Sequence, residues 1–476
     1  MTTGSIMGKV LLFAIPMVIG DILQQLYTTV DTLVISKYCD HTSLAAVGTS
    51  AQPVEVMLCL FLGIGKGVSI LVSQYEGADE HKKIQDLCRA AVTFIYLCGI
   101  PVGLFGIFFT PYILRFMGVP ADTWDAAVAY TRIVFCGTLG NIGYNMNAGI
   151  LRGMGDSKAS LWFLVASCIS NIVLDLAFVA GLGMDAGGVA LATSIAMYIS
   201  WLISVVYIRK KYPELEFPLL PRRFSGDEMR RVVGVGIPIG LNNSLYSFGH
   251  MAMQTFVNAQ GSVFMAGASV SGRITSLTSV AVNAMSSAAT TYSGQNYGAR
   301  KYDRLRQGYR LIPLVSGAVT LSFGFVLLLV RRPILMLFDP DPQVLVYAER
   351  YVVVHLLFHW VFAIFNAIVC FVNGVGKVRN TMVVNLLMLW AVRIPAAYVI
   401  HRFFDGTYIM VSVPISFCFG LACMVGYCLF SPGWKELMGK PAAEDAIGYD
   451  GIEKEARHEL WNHRIRHHRQ NARAGH

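Results

Sequence analysis

Apolar runs long enough to cross a bilayer recur from one end of the chain to the other, separated by short polar or basic connections. Twelve are read, at 10–36, 45–73, 87–110, 124–150, 159–181, 187–208, 232–257, 263–292, 309–330, 344–372, 380–401 and 408–430. Each meets the roughly 20 residues that a transmembrane helix needs. The longest predict tilt, kinks or helix that continues past the hydrocarbon. The pattern predicts an all-α integral membrane protein of twelve transmembrane helices.

The pattern also repeats. Gln74, Gly77 and Ala78 return as Gln295, Gly298 and Ala299, about 221 residues on. Gly153 and Gly155 return as Gly374 and Gly376, Tyr130 as Tyr351, and Pro16 as Pro238 one residue out of step. A common offset across separate landmarks predicts two six-helix bundles. Six is even, so both copies enter the membrane with the same orientation, and the pseudo-two-fold axis runs along the membrane normal. The expected units are an N-terminal lobe, 1–208, a linker, 209–231, a C-terminal lobe, 232–432, and a polar tail, 433–476. Pro213, Pro218 and Pro221 mark the linker. The tail carries His458, His463, His467, His468 and His476 and is read as a solvated segment. Two similar lobes with a site between them are a transporter's plan.

Composition agrees. The chain is 55% hydrophobic and 14% charged, well below the roughly 25% charged residues of soluble domains. The net charge of +9 does not indicate nucleic acid, because its placement follows the membrane. Arg209, Lys210, Lys211, Arg222, Arg223, Arg230 and Arg231 crowd the connection between the lobes. With the basic tail, they place both termini in the cytoplasm of a multi-pass protein of the cell membrane. The ten cysteines show neither metal spacing nor a disulfide framework and read as packing residues. The first apolar run is too long for a cleavable signal. Segments Gln74 to Arg89 and Gln295 to Arg310 are expected to hold an amphipathic surface helix. The turns at Gly153 and Gly374 are not phosphate loops, since no Lys-Ser/Thr follows them. No hydrolytic triad or cofactor motif is present in the sequence, so an enzyme is not expected.

Ionisable side chains inside apolar runs need a reason, each costing about 3 kcal/mol on insertion scales. Asp21, Gln24, Thr28 and Asp31 fall within about 80° of one another on the first helix, a polar stripe that must avoid lipid. Asn171 and Asp175, at i and i+4, share one face of the fifth. A carboxylate with a neighbouring amide oxygen suits a proton or a small cation; the plainer reading is helices tied together by polar side chains. Neither acid recurs in the second lobe, where Ala252 or Met253 replaces Asp31 and Ala396 replaces Asp175. That lobe holds His250, Arg273, His355, His359 and Arg393 instead. The histidines read as hydrogen-bonded interior groups, and the arginines as partners for carboxylates or carbonyls. Lys66 reads as a snorkelling lysine.

These residues resemble the multidrug and toxic compound extrusion (MATE) family, in its DinF-like branch. The resemblance lies in Pro16-Met17-Val18-Ile19-Gly20, Gln24-Gln25-Leu26-Tyr27, Val30-Asp31-Thr32, Leu44-Ala45-Ala46-Val47-Gly48, Ser73-Gln74-Tyr75-Glu76-Gly77-Ala78, Leu151-Arg152-Gly153-Met154-Gly155-Asp156 and Asn171-Ile172-Val173-Leu174-Asp175. It covers essentially residues 5 to 432. It implies a monomeric two-lobed antiporter that expels small organic cations by exchange for H⁺ or Na⁺, without a cofactor. It also implies an N-lobe ion site of Asp31, Tyr130, Asn171, Asp175 and Thr193, with Na⁺ a candidate at Asp31, Asn171 and Asp175. Asp21 and Lys66 depart from the family pattern. The alternative is a lipid-linked oligosaccharide flippase of related plan, for which a strongly cationic cleft is expected.

Overall fold

A computed structural model describes residues 1–338 and 341–440; within the second helix, the side chains at 41, 42, 44, 45, 49–53 and 55–57 also lie outside the description. The tail histidines therefore lie outside the described residues. The helices run, in order, α1 (Ile6–Tyr38), α2 (His41–Gly77), α3 (His81–Phe116), α4 (Trp124–Cys136), α5 (Thr138–Gly153), α6 (Ser157–Asp175), α7 (Ala186–Lys211) and α8 (Gly226–Asn258). They continue as α9 (Ser262–Gly298), α10 (Tyr302–Leu329), α11 (Arg331–Phe338), α12 (Pro342–Gly374), α13 (Val378–Leu386), α14 (Ile394–Phe403), α15 (Ser412–Phe430) and α16 (Pro432–Gly439). No strand occurs among the described residues.

Nine of the described helical segments are long and apolar enough to cross a membrane. The other three expected spans have physical reasons to fall short of that measure. Residues 124–150 form two helices that break at Gly137, and α8 and α9 are rich in Gly, Ser, Thr and Asn. These last two pack against α2 in the middle of the molecule, where small residues allow close approach and apolarity is less needed.

The helices form two groups. One core joins residues of α2, α3, α5 and α7, and the other joins α9, α10, α12 and α15. The first helix of each half leans on the opposite half. Ile6, Val10, Phe13 and Ala14 of α1 are buried with Ala284, Met285 and Ala288 of α9. Val232 of α8, which aligns with Val10 when Pro16 is set on Pro238, is buried among Ile84, Leu87 and Leu215. The linker joins the first core through Leu215 and Phe217, and Arg209 Nε donates to the Phe217 carbonyl at 2.8 Å.

The repeat landmarks meet at the linker side of the molecule. Gln74 Nε2 donates to the Gly374 carbonyl at 2.7 Å, and Gln295 Nε2 donates to the Gly153 carbonyl at 2.9 Å. The two bonds exchange the same groups between halves, as across a two-fold interface. Backbones approach closely beside them. A Cβ at Gly77 would overlap the Gln295 carbonyl, and one at Gly298 the Gln74 carbonyl. Gly155 and Gly376 both take φ of +90°, the left-handed conformation that glycine adopts without strain.

Two expectations fail here. No surface helix follows the second or eighth span: α2 turns at Asp79 straight into α3, and α9 at Arg300 into α10, with φ of 58° and 55°. The polar stretch is instead the first turns of a continuous long helix. The start of the expected tail is not solvated, because Trp434 and Leu437 of α16 are buried against Tyr309 and Tyr427. The helical part of α7 runs on to Lys211, so the residues that cross between helices begin at 212.

Candidate functional site

The polar stripe of α1 divides into two sites. The part farther from the N-terminus, Asp31, faces Asp175, which closes α6 and is fully buried. Asp175 immediately precedes a wide, π-helical turn, Leu176–Gly181. Such turns tend to occur where a helix is shaped around a functional group. The two carboxyl groups lie within hydrogen-bonding reach, yet Asp31 Oδ1 and both Asp175 oxygens have no donor. Two carboxylates can only accept. A proton between them supplies the missing O–H, and a hard cation would supply the missing charge.

The other expected residues surround this pair. Asn171, one helical turn before Asp175 and 2% exposed, donates from Nδ2 to Thr193 Oγ1 at 3.3 Å. That bond fixes the amide, so its Oδ1, which has no donor, becomes another acceptor. Tyr130 of α4 faces both Asp31 and Asp175. Asp31, Tyr130, Asn171, Asp175 and Thr193 are thus brought together from α1, α4, α6 and α7. Tyr27 completes the group, facing Asp31 and Tyr130. It stands four residues before Asp31, one turn along the same helix face, and that spacing was the signal for it.

The part of the stripe nearer the N-terminus does something else. Asp21 faces Arg152 of α5 and Lys66 of α2, two cations that balance it. Lys66 is exposed, and it also faces Cys370 of α12. Gln24 and Thr28 are exposed, and Thr28 Oγ1 bonds back to the Gln24 and Gln25 carbonyls at 3.2 and 3.0 Å. Thr29 and Thr32 bond back in the same way. Hydroxyls that bond their own helix tend to bend it.

In the second half, His250, His355 and His359 gather near Arg393. Arg393 is 3% exposed and ends a second π-helical turn, Leu387–Arg393. Its Nε donates to Ser416 Oγ at 2.9 Å, and its guanidinium lies 5.1 Å from the centre of the Phe417 ring. Around it stand His250, Tyr351 and His355. His355 and His359 lie side by side, ring centres 4.7 Å apart. The expectation of hydrogen-bonded histidines fails for His359, whose two ring nitrogens are buried without partners. Nor, among the described residues, does Arg393 have the expected carboxylate or carbonyl partner: Ser416 and the Phe417 ring take its place. Arg273 does not join this group and lies over the Phe338 ring at 5.7 Å.

At the linker-side mouth, outside the spans, Asp156 accepts from Lys211 Nζ at 2.6 Å, from Tyr207 at 2.9 Å and from the Ala159 N–H. Burial opposes its charge, but these hydrogen bonds outweigh it and hold the carboxyl below the usual aspartate range. Among the described residues no group of three or more His, Cys, Asp and Glu is arranged to hold a metal ion.

Comparison with known proteins places this geometry in context. The family model MatE matches residues 16–177 and again 238–399. "Probable multidrug resistance protein YoeA" of Bacillus subtilis is 27% identical over 444 residues, covering 91% of this chain and 95% of that protein. "DNA damage-inducible protein F" of Escherichia coli is 29% identical over 345 residues, covering 71% of this chain and 74% of that one. An outward-facing structure of a MATE family multidrug resistance transporter superposes with a TM-score of 0.84 at 22% identity, covering 92% of this chain and 98% of that one.

Proposed function

The chain belongs to the MatE family of membrane transporters, and from that premise we propose that it exports organic cations by exchange for H⁺ or Na⁺. Relatives carry the names multidrug resistance protein and multidrug export protein. Those names support xenobiotic cargo and do not favour the flippase alternative. The proposal places both termini in the cytoplasm, as the basic linker suggests, and has a single copy act alone, since one chain contains both lobes.

The observation that carries the proposal is the facing pair Asp31 and Asp175, acceptors without a donor. Loading an ion there removes the repulsion between α1 and α6, the two helices that hold the pair. α1 is the helix best placed to transmit this. Its second half holds Asp31 among threonines bonded to their own backbone, and its first half is packed in the other lobe's core. An ion that binds one shape of α1 more tightly shifts the balance of the lobes by that difference and no more. The reciprocal Gln74 and Gln295 bonds would close the cytoplasmic side while the cleft opens outward, and would part in the opposite state. Asp31, Asp175 and the Asn171 oxygen form a set of hard oxygen donors that fits Na⁺, and the carboxyl pair alone fits a proton.

The test is efflux of a cationic dye from proteoliposomes under pH and Na⁺ gradients imposed separately. Efflux should follow one gradient in the wild type and lose that dependence in Asp31→Asn and Asp175→Asn. Gradient-driven efflux that survives unchanged in both variants would reject the coupling site.

A further inference from the structure

We propose that the Arg393 chamber of the second half binds the carboxylate of a zwitterionic cargo, as an anion site opposite the acidic pair. A charge buried within the span of a helix demands a partner or a use. Among the described residues, Arg393 has only neutral partners. Ser416 takes Nε and the Phe417 ring takes one face, while Nη2 is buried with nothing to donate to. The groups that face it, His250, Tyr351 and His355, include no acid. His359, 3% exposed, adds two more unpartnered nitrogens beside His355.

The shape of the site selects the ligand class. A guanidinium offers donors in a planar fork that matches the two oxygens of a carboxylate. Its Nε edge is already fixed by Ser416, so the plane is set before a ligand arrives. His250 lies on α8, edge-on to Tyr246 at 4.8 Å, and its side chain is exposed, unlike those of Arg393 and His359.

The repeat strengthens the assignment. The family matches begin at 16 and 238, and in that register Asn171 falls on Arg393, Thr28 on His250, Asp31 on Met253 and Asp175 on Ala397. The second half thus has apolar residues where the first has its two acids, and an arginine where the first has its amide. A cargo with an amine and a carboxylate would be held by one chamber through each end. The proposal deepens the export reading and rests on it for the cationic end of the cargo.

The experiment uses a fluorescent xanthene dye that carries a benzoate, together with its methyl ester, which is purely cationic. Binding of each to the full-length protein in nanodiscs is measured by anisotropy, and the acid-to-ester ratio of affinities is compared among variants. Wild type should prefer the acid by about tenfold, a charge-assisted pair's worth. Arg393→Gln should bring the ratio near one, Arg393→Lys should restore part of it, and His359→Gln should lower it less than Arg393→Gln. Because a ratio is read, a general loss of folded protein cancels. No preference for the acid in wild type, or an undiminished preference in Arg393→Gln, overturns the proposal. Gradient-driven efflux of the ester tests the cation-export reading separately, so the failure of one is not mistaken for failure of the other.

Discussion

Tyr130 and Tyr351 occupy matching places in the two halves, and their surroundings are opposite. Tyr130 faces Asp31 and Asp175; Tyr351 faces Arg393. Each chamber sets its buried charge beside a π-helical turn, at Leu176–Gly181 and Leu387–Arg393. The contrast continues at the linker-side mouth. Asp156, which caps α6 and pairs with Lys211, corresponds to Lys377, which donates to the Gly433 carbonyl at 2.8 Å. The linker-side closure is the reverse case: Gln74 and Gln295 are the same residue making the same bond. The repeat keeps its residues where Gln74 and Gln295 join the halves and changes them around the buried charges.

That contrast can be broken by experiment. The largest effect is expected in the chambers. Asp175→Asn should lower gradient-driven efflux by about 100-fold, whereas Arg393→Gln should leave efflux responsive to the ion gradient with altered cargo preference. Loss of the ion response in Arg393→Gln would erase the distinction between the chambers. Next come the paired glycines. Gly77→Val and Gly298→Val both force a side chain into a carbonyl, so each should cost about 1–3 kcal/mol in thermal unfolding. Similar losses support a symmetric closure; a large loss in one alone contradicts it.

Smaller effects follow at the hydrogen bonds. Gln74→Ala and Gln295→Ala each remove one bond across the halves, worth about 1 kcal/mol. Amide hydrogen exchange at residues 153–155 and 374–376 should rise in both. The smallest is a pH effect. Asp156 has a depressed pKa in the folded chain, so its contribution is present above the unfolded aspartate value and is lost as pH falls through the lower folded value. Asp156→Asn should lower the melting temperature at pH 6, and the gap to wild type should shrink below about pH 4. Lys377→Met should show no such trend.

Much of this was legible in the sequence because it depends on spacing along one helix. The pair Asn171 and Asp175 is an i, i+4 relation, and the repeat landmarks needed only a common offset. Tyr27 was visible on the same grounds and was overlooked beside the more obvious acids. What sequence could not show depends on how helices are turned against one another. The stripe of α1 looks continuous, yet Asp21 meets Arg152 and Lys66 while Asp31 meets Asp175. His355 and His359 share a face in any helix, but only the packing around them decides that His359 finds no hydrogen-bond partner. Polar residues after α2 and α9 suggested a separate surface helix because composition does not distinguish a new helix from the exposed first turns of a long one. Trp434 lay at the edge of a polar tail, and nothing in its neighbours along the chain announced that it would dock on Tyr309.

The reciprocal glutamine bonds have a consequence for how the protein is made. A face that offers Gln74 and Gly153 presents the same donor and acceptor as its partner, which offers Gln295 and Gly374. Two first halves from different chains could join by the same bonds and produce a particle with two acidic chambers and no basic one. The covalent connection through residues 212–225 prevents this by raising the local concentration of the correct mate. The linker thus acts as a guarantor of stoichiometry, and severed halves expressed together should assemble as a mixture of like and unlike pairs.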